Sequence, residues 1–143
     1  MPRLFRLEDA QRLLAELEPV LRTIASLKKS FDELDLELRV CSERIALVGG
    51  AFVERTDLAV KRRRHDSIAK MLSDSLEAVQ QHGCLLKDPD EGLVDFPTLF
   101  RGEEVYLCWK LGEPAIQFWH GLSEGFQGRK PIDKEFLENN KVG

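Results

Sequence analysis

Cysteine is scarce in this chain: there are three, Cys41, Cys84 and Cys108, an odd number at wide spacing. No CxxC and no His-rich spacing accompanies them, so neither a disulfide framework nor a structural zinc knuckle is indicated. Basic charge is not in excess. The net charge of −4 argues against sequence-independent nucleic-acid binding, whose affinity rests on surplus Lys and Arg. Long apolar runs are missing too, and nothing approaches the ~20 uncharged residues needed to span a bilayer. The opening MPRLFRLEDAQ carries charge every few residues and lacks the apolar stretch of a signal peptide. These absences lead us to expect a protein of the reducing cytosol, with no nucleic-acid or membrane partner.

What is present is enough apolar content, 43% of 143 residues, to bury a core within a single domain over 1–143. The first half is helical in pattern. Leu7, Ala10, Leu14, Leu17, Leu21 and Ile24 alternate steps of three and four, the seam of a helix packing along a partner. A second run, Leu27, Phe31, Leu34, Leu38, Cys41, Ile45 and Val48, joins the first through consecutive steps of three, a stammer. Pro19 removes the hydrogen bond to the Ala15 carbonyl, so a kink or break is expected there. Gly49-Gly50 closes the pattern, and a return helix is expected from Val53 to His82, ending at Gly83. Residues 7–82 thus form a long antiparallel helical hairpin. Two such helices leave their flanks bare. A homodimer that completes a four-helix arrangement is the expectation, with cover by the C-terminal module as the alternative.

The run Lys61-Arg62-Arg63-Arg64-His65 is the one basic cluster. Consecutive helical positions turn by ~100°, which spreads these side chains around the helix. Asp57 precedes Lys61 by one helical turn, and Asp66 neutralises the far end. A solvated face is expected rather than a phosphate-binding patch.

Between Gly83 and Pro131 the pattern becomes extended. Strands are expected at Cys84–Lys87, at Leu93–Phe96 closed by Pro97, at Glu104–Leu111, and at Ala115–His120. In Glu104–Leu111, Val105, Leu107 and Trp109 point one way while Tyr106 and Cys108 point the other, so that strand should be central and covered on both faces. Arg3-Leu4-Phe5 could add an edge strand. The fold class is α+β: a helical hairpin, 7–82, with a small antiparallel β meander, 83–131, followed by a tail, 132–143.

GCLLKDPDEGLVDFP, VYLCWKLGEP, FWH and GFQGRKP, behind a Leu-rich hairpin and the opening FRLEDAQRLL, resemble the family catalogued as domain of unknown function 2203. The C-terminal motifs carry the resemblance because uncommon residues recur in fixed order, whereas the helical part is generic. The resemblance implies a small cytoplasmic prokaryotic protein without an established activity, and it assigns no catalytic residue. Arg6 stands where similar sequences begin the helix with Ser or Thr, and Gly121-Leu122-Ser123-Glu124 departs from the more acidic form after the histidine.

Asp95, Glu113 and His120 are the polar groups set in the most apolar stretches, and they are the candidates for catalysis or for holding a divalent transition metal. Each also has a structural reading: Asp95 and Glu113 as turn or amide caps, and His120 as a satisfied core histidine. Trp109, Trp119, Phe118 and Tyr106 could wall a ligand pocket, with Arg129 or Lys130 reaching an anion. Aromatics at strand spacing are more often core. Cys84 and Cys108, in strands, are expected to be buried, inert thiols. HExxH is absent, no Ser-His-Asp arrangement is legible, and GFQGRKP lacks the GxGxxG form of a dinucleotide site. Two functions remain: a non-enzymatic assembly module that self-associates through its hairpin, or a metal-dependent enzyme or ligand-binding protein centred on Asp95, Glu113 and His120.

Overall fold

The computed structural model describes residues 3–48 and 52–143. Helix α1 runs Leu7–Val48 and α2 runs Phe52–Gln81. The strands are β1 Leu85–Asp88, β2 Leu93–Phe100, β3 Glu103–Lys110, β4 Phe118–Gly121 and β5 Lys130–Pro131, with a 3-10 turn at Phe126–Gly128 before β5. Helix α3, Lys134–Asn139, ends the order of elements. The five strands form one antiparallel meander in the order β1-β2-β3-β4-β5. The fold is α+β, with a long helix pair followed by a sheet.

A kink or a break was expected at Pro19, and helix α1 runs through it without a break. Pro19 and Ala15 both lie on the exposed face of the helix, so the carbonyl that Pro19 orphans is left where water can reach it. The Thr23 hydroxyl donates to the Pro19 carbonyl at 3.1 Å. Gly49 and Gly50, expected to cap α1, lie outside the described residues. At the other end of α2, Gly83 has φ +90°, and a Cβ there would lie 2.8 Å from Arg3 Cβ. Glycine alone fits that stop.

Sheet periodicity divides the side chains cleanly. Val94, Phe96, Val105, Leu107 and Trp109 face the helices and form the core with Phe5, Leu14, Leu17, Leu21 and Ile24 from the N-terminal part of the chain. Val79 of α2 joins them. The sheet therefore covers the first half of α1. Beyond Ile24, Leu34 is the one buried hydrophobic of α1 among the described residues. From Ile24 onward α1 extends another ~36 Å at 1.5 Å per residue, accompanied by α2 and, at Lys28, by Asp90 of the β1–β2 turn 3.7 Å away.

Strand β2 continues past Pro97 to Phe100, longer than expected. A strand residue directs its nitrogen and its carbonyl to the same side, and the Pro97 carbonyl accepts from Phe5 N–H at 2.7 Å, on the edge away from β3. The missing N–H therefore costs no rung with β3. Arg3 to Phe5 add this one backbone bond, supported by the Thr98 hydroxyl donating to Phe5 O at 2.6 Å, but they form no strand. The last residues are more than a tail: α3 buries Phe136, which stacks on Phe100, centroid to centroid 5.4 Å, and packs against Trp119 at 5.0 Å. Asp133 caps α3 by accepting from Phe136 N–H.

Candidate functional site

On the sheet face turned away from α1, three polar side chains from three strands converge. A two-residue turn, Arg101-Gly102, joins β2 to β3, both residues having positive φ as a tight hairpin turn requires. Counting back equally from that turn sets Asp95 opposite Cys108. His120 of β4 pairs with Tyr106, two residues along β3 on the same face as Cys108. The imidazole and the carboxylate reach toward each other across β3: His120 Nε2 lies 3.0 Å from Asp95 Oδ1. Asp95 is 2% exposed, His120 3% and Cys108 0%. One donor atom from each of the three lies within 4.8 Å of the other two.

The His120 ring is fixed from behind. Its Nδ1 lies 2.9 Å from the Gly121 carbonyl, which can only accept, so Nδ1 carries the hydrogen. The same carbonyl accepts from Glu124 N–H at 3.1 Å, while Glu124 Oε1 accepts from Gly121 N–H at 2.8 Å. The Gly121–Glu124 turn thus holds the backbone that aims the imidazole. Lys130 donates to Glu124 and holds its carboxyl below the usual range.

Burial pushes the Cys108 thiol up to about 12; the neighbouring Asp95 carboxylate adds to the rise and Arg129 opposes it. Arg129 also donates to Glu113 Oε1 at 2.9 Å. Its guanidinium lies 4.1 Å from the ring centres of both Phe118 and Phe126. Partial burial is the largest influence on the Arg129 pKa and lowers it, but the hydrogen bond and charge of Glu113, together with Cys108, outweigh it and leave it raised.

Of the residues singled out from the sequence, Asp95 and His120 come together and Glu113 does not join them. Glu113 serves the β3–β4 connection instead, accepting from Lys110 N–H at 2.6 Å and pairing with Arg129. Trp109 and Trp119 lie on the helix-facing side. Trp109 is fully buried and donates Nε1–H to the Glu113 carbonyl at 3.0 Å, and Trp119 packs on Phe100 and Phe136. Arg129 and Phe118 are on the opposite face, so the aromatic residues and the arginine do not enclose one pocket. Tyr106 sits beside His120, ring centroids 5.5 Å apart. Lys130 is spent on Glu124 and on the Trp119 ring, 4.7 Å from its centre.

Cys108 was not among the site candidates. The signal was in the sequence: equal counting from the Arg101-Gly102 turn pairs it with Asp95. Ending β2 at Pro97 concealed that register.

These geometric features lie inside a recognised family region. The family model described as "Uncharacterized conserved protein (DUF2203)" matches residues 3–132, most of the chain. The chain belongs to this family. No curated protein and no solved structure matches it. The DUF2203 region contains the helix pair, the whole sheet and every residue of the Asp95–Cys108–His120 cluster, and it stops before α3. Among the described residues, no helix is long and apolar enough to cross a membrane.

Proposed function

We propose that this DUF2203 protein is a non-enzymatic assembly module of the cytoplasm, a homodimer joined through the projecting part of its helix pair. One observation carries the proposal: among the described residues, the arm beyond Ile24 leaves an apolar face uncovered. Leu36 is 56% exposed and Val40 48%, and they line a groove with Asp57 and Lys61 of α2. Val60, 44% exposed, lies one turn from Asp57 on the same border, and Met71, 48% exposed, continues its stripe eleven positions on, roughly 20° around the helix. Apolar residues gathered on one side of a two-helix ribbon are what a second ribbon covers.

The occupant is a second copy because the arm is complementary in charge to itself. One turn from Leu36, α1 carries the exposed Glu33, and one turn from Val60, α2 carries the exposed Arg64; the groove itself adds Arg44 of α1 and Asp57 of α2. A twofold axis lying between the two faces, parallel to the helices, lays α1 of one copy over α2 of the other and sets Glu33 level with Arg64, since Phe31 meets His65 and Glu37 meets Lys61 across the pair. Lys61 is already committed within the chain, 3.1 Å from Asp57 and 3.9 Å from Glu37, which favours a solvated and paired role for the basic run over phosphate binding. Three cysteines, none of them in a disulfide, suit a reducing compartment.

Light scattering at micromolar concentration tests the proposal. The expected mass is twice the 16.4 kDa of the chain; a monomer throughout that range removes it.

A further inference from the structure

Outside the arm, the most concentrated chemistry is the Asp95–Cys108–His120 cluster. We propose that Asp95 Oδ1, Cys108 Sγ and His120 Nε2 form a three-donor site for a divalent transition metal, zinc foremost.

The argument starts with the hydrogen on His120. Because Nδ1–H is given to the Gly121 carbonyl, a neutral ring turns the lone pair of Nε2 toward Asp95 Oδ1, 3.0 Å away. Two lone pairs at that distance repel unless a positive centre lies between them. In the metal-free protein a hydrogen carried by one of the two atoms meets that need in an ordinary hydrogen bond. A metal ion occupies the same position when it replaces that hydrogen. Donation of the other ring N–H to a carbonyl is the arrangement that fixes the tautomer and orientation of metal-ligating histidines.

The donor set matches the ion. Tetrahedral zinc, with bonds of about 2.0–2.3 Å to nitrogen, oxygen and sulfur, places its donors ~3.3–3.6 Å apart. The Nε2–Oδ1 pair must open by a few tenths of an ångström, and the cluster as a whole already lies within 4.8 Å. A carboxylate, a thiolate and a neutral imidazole total two negative charges, so a divalent ion leaves the buried site neutral. The adjacent Arg129–Glu113 pair is neutral in itself and does not upset that balance. Nitrogen and sulfur donors select zinc, iron or cobalt and disfavour magnesium and calcium, which prefer oxygen shells. Loading displaces the bridging hydrogen and the thiol hydrogen to solvent as protons. Three protein donors leave a fourth position for water.

Cobalt(II), added to metal-stripped full-length protein under anaerobic conditions, is the probe. The expected result is a thiolate-to-cobalt charge-transfer band that saturates at one equivalent per chain and is displaced by zinc. Cys108→Ser should lose the band, and binding should weaken by more than the ~10–100-fold that loss of an outer-shell partner costs. Cys41→Ser should keep the band. Zinc-edge X-ray absorption of the loaded native protein decides the matter even if Cys108→Ser fails to fold: one sulfur with nitrogen and oxygen neighbours supports the site. A shell without sulfur, no saturable cobalt band in the native chain, or a band unchanged in Cys108→Ser overturns it.

Discussion

His120 and Asp95 meet across the full width of β3, Nε2 to Oδ1 at 3.0 Å, with both side chains screened from solvent. Removing one partner leaves the other buried without a counterpart, and that penalty exceeds the net worth of an exposed ion pair. Asp95→Ala and His120→Ala are each expected to cost about 3 kcal/mol by urea denaturation of the metal-stripped protein. The double variant should cost at least ~1 kcal/mol less than the sum. Strict additivity would mean that the two groups do not interact.

Arg129 couples the Glu113 carboxylate to the rings of Phe118 and Phe126 in one planar arrangement. Lysine keeps the charge but neither the fork nor the stacking surface. Arg129→Lys should lower stability by about 1–2 kcal/mol, and Glu113→Gln by about 1 kcal/mol, since amide oxygen still accepts from Lys110 N–H. Thermal denaturation at fixed pH checks both. An Arg129→Lys variant as stable as the native chain would show the stacking to be incidental.

The sequence carried the sheet further than the site. Gly83, Gly92, Arg101-Gly102 and Gly112 punctuate the strands, and alternation within β3 separated Val105, Leu107 and Trp109 from Tyr106 and Cys108 as the fold does, without saying which set meets the helices. The stammer at Leu21, Ile24 and Leu27 was visible as a break in spacing. In the fold it falls where α1 leaves the sheet core and turns its seam to α2. Pro97 does not end its strand and Pro19 does not break its helix for one shared reason: proline opposes strand or helix only where its missing N–H or orphaned carbonyl lacks an alternative, and each has an open edge or solvent beside it. Phe136 gave no periodic signal because a six-residue helix is too short to show one. Its burial depends on Trp119 and Phe100, distant in sequence.

Cys84 supplies a pH dependence. Its thiol, 1% exposed with Sγ 3.5 Å from the Val79 carbonyl, is pushed up to about 11 by burial, from 9.0. Between those values the unfolded chain has lost the thiol proton and the folded chain retains it. The unfolded state then binds fewer protons, so stability falls as pH rises through the window, by about 2 kcal/mol in all. Below pH 9 the contribution is fully present. Denaturant midpoints for the native chain and Cys84→Val should run parallel up to pH 9 and then converge, the native chain falling faster. Parallel curves to pH 11 would remove the thiol as the cause.

Arg62 and Arg63 lie on exposed turns of α2. Changing both to Gln should alter stability by less than about 0.5 kcal/mol and leave retention on immobilised DNA at moderate salt unchanged and negligible. Salt-sensitive DNA binding by the native chain, lost in the variant, would give the run a different role.

Phe31 and Val40 separate the hairpin from the dimer. Phe31 stacks on His65 between α1 and α2, ring centroids 4.4 Å apart, so a charge there opposes the pairing of helices within one chain. Phe31→Glu should cost several kcal/mol and reduce the far-UV helical signal along with the mass. Val40 is 48% exposed on the groove side, where a carboxylate remains hydrated in the single chain and is buried only when another arm covers it. Val40→Glu should therefore keep native helicity while light scattering falls from twice the chain mass to one. If Val40→Glu retains the doubled mass, the dimer uses another face. If both variants lose helicity alike, Val40 belongs to the hairpin seam, and the uncovered face cannot carry the assembly.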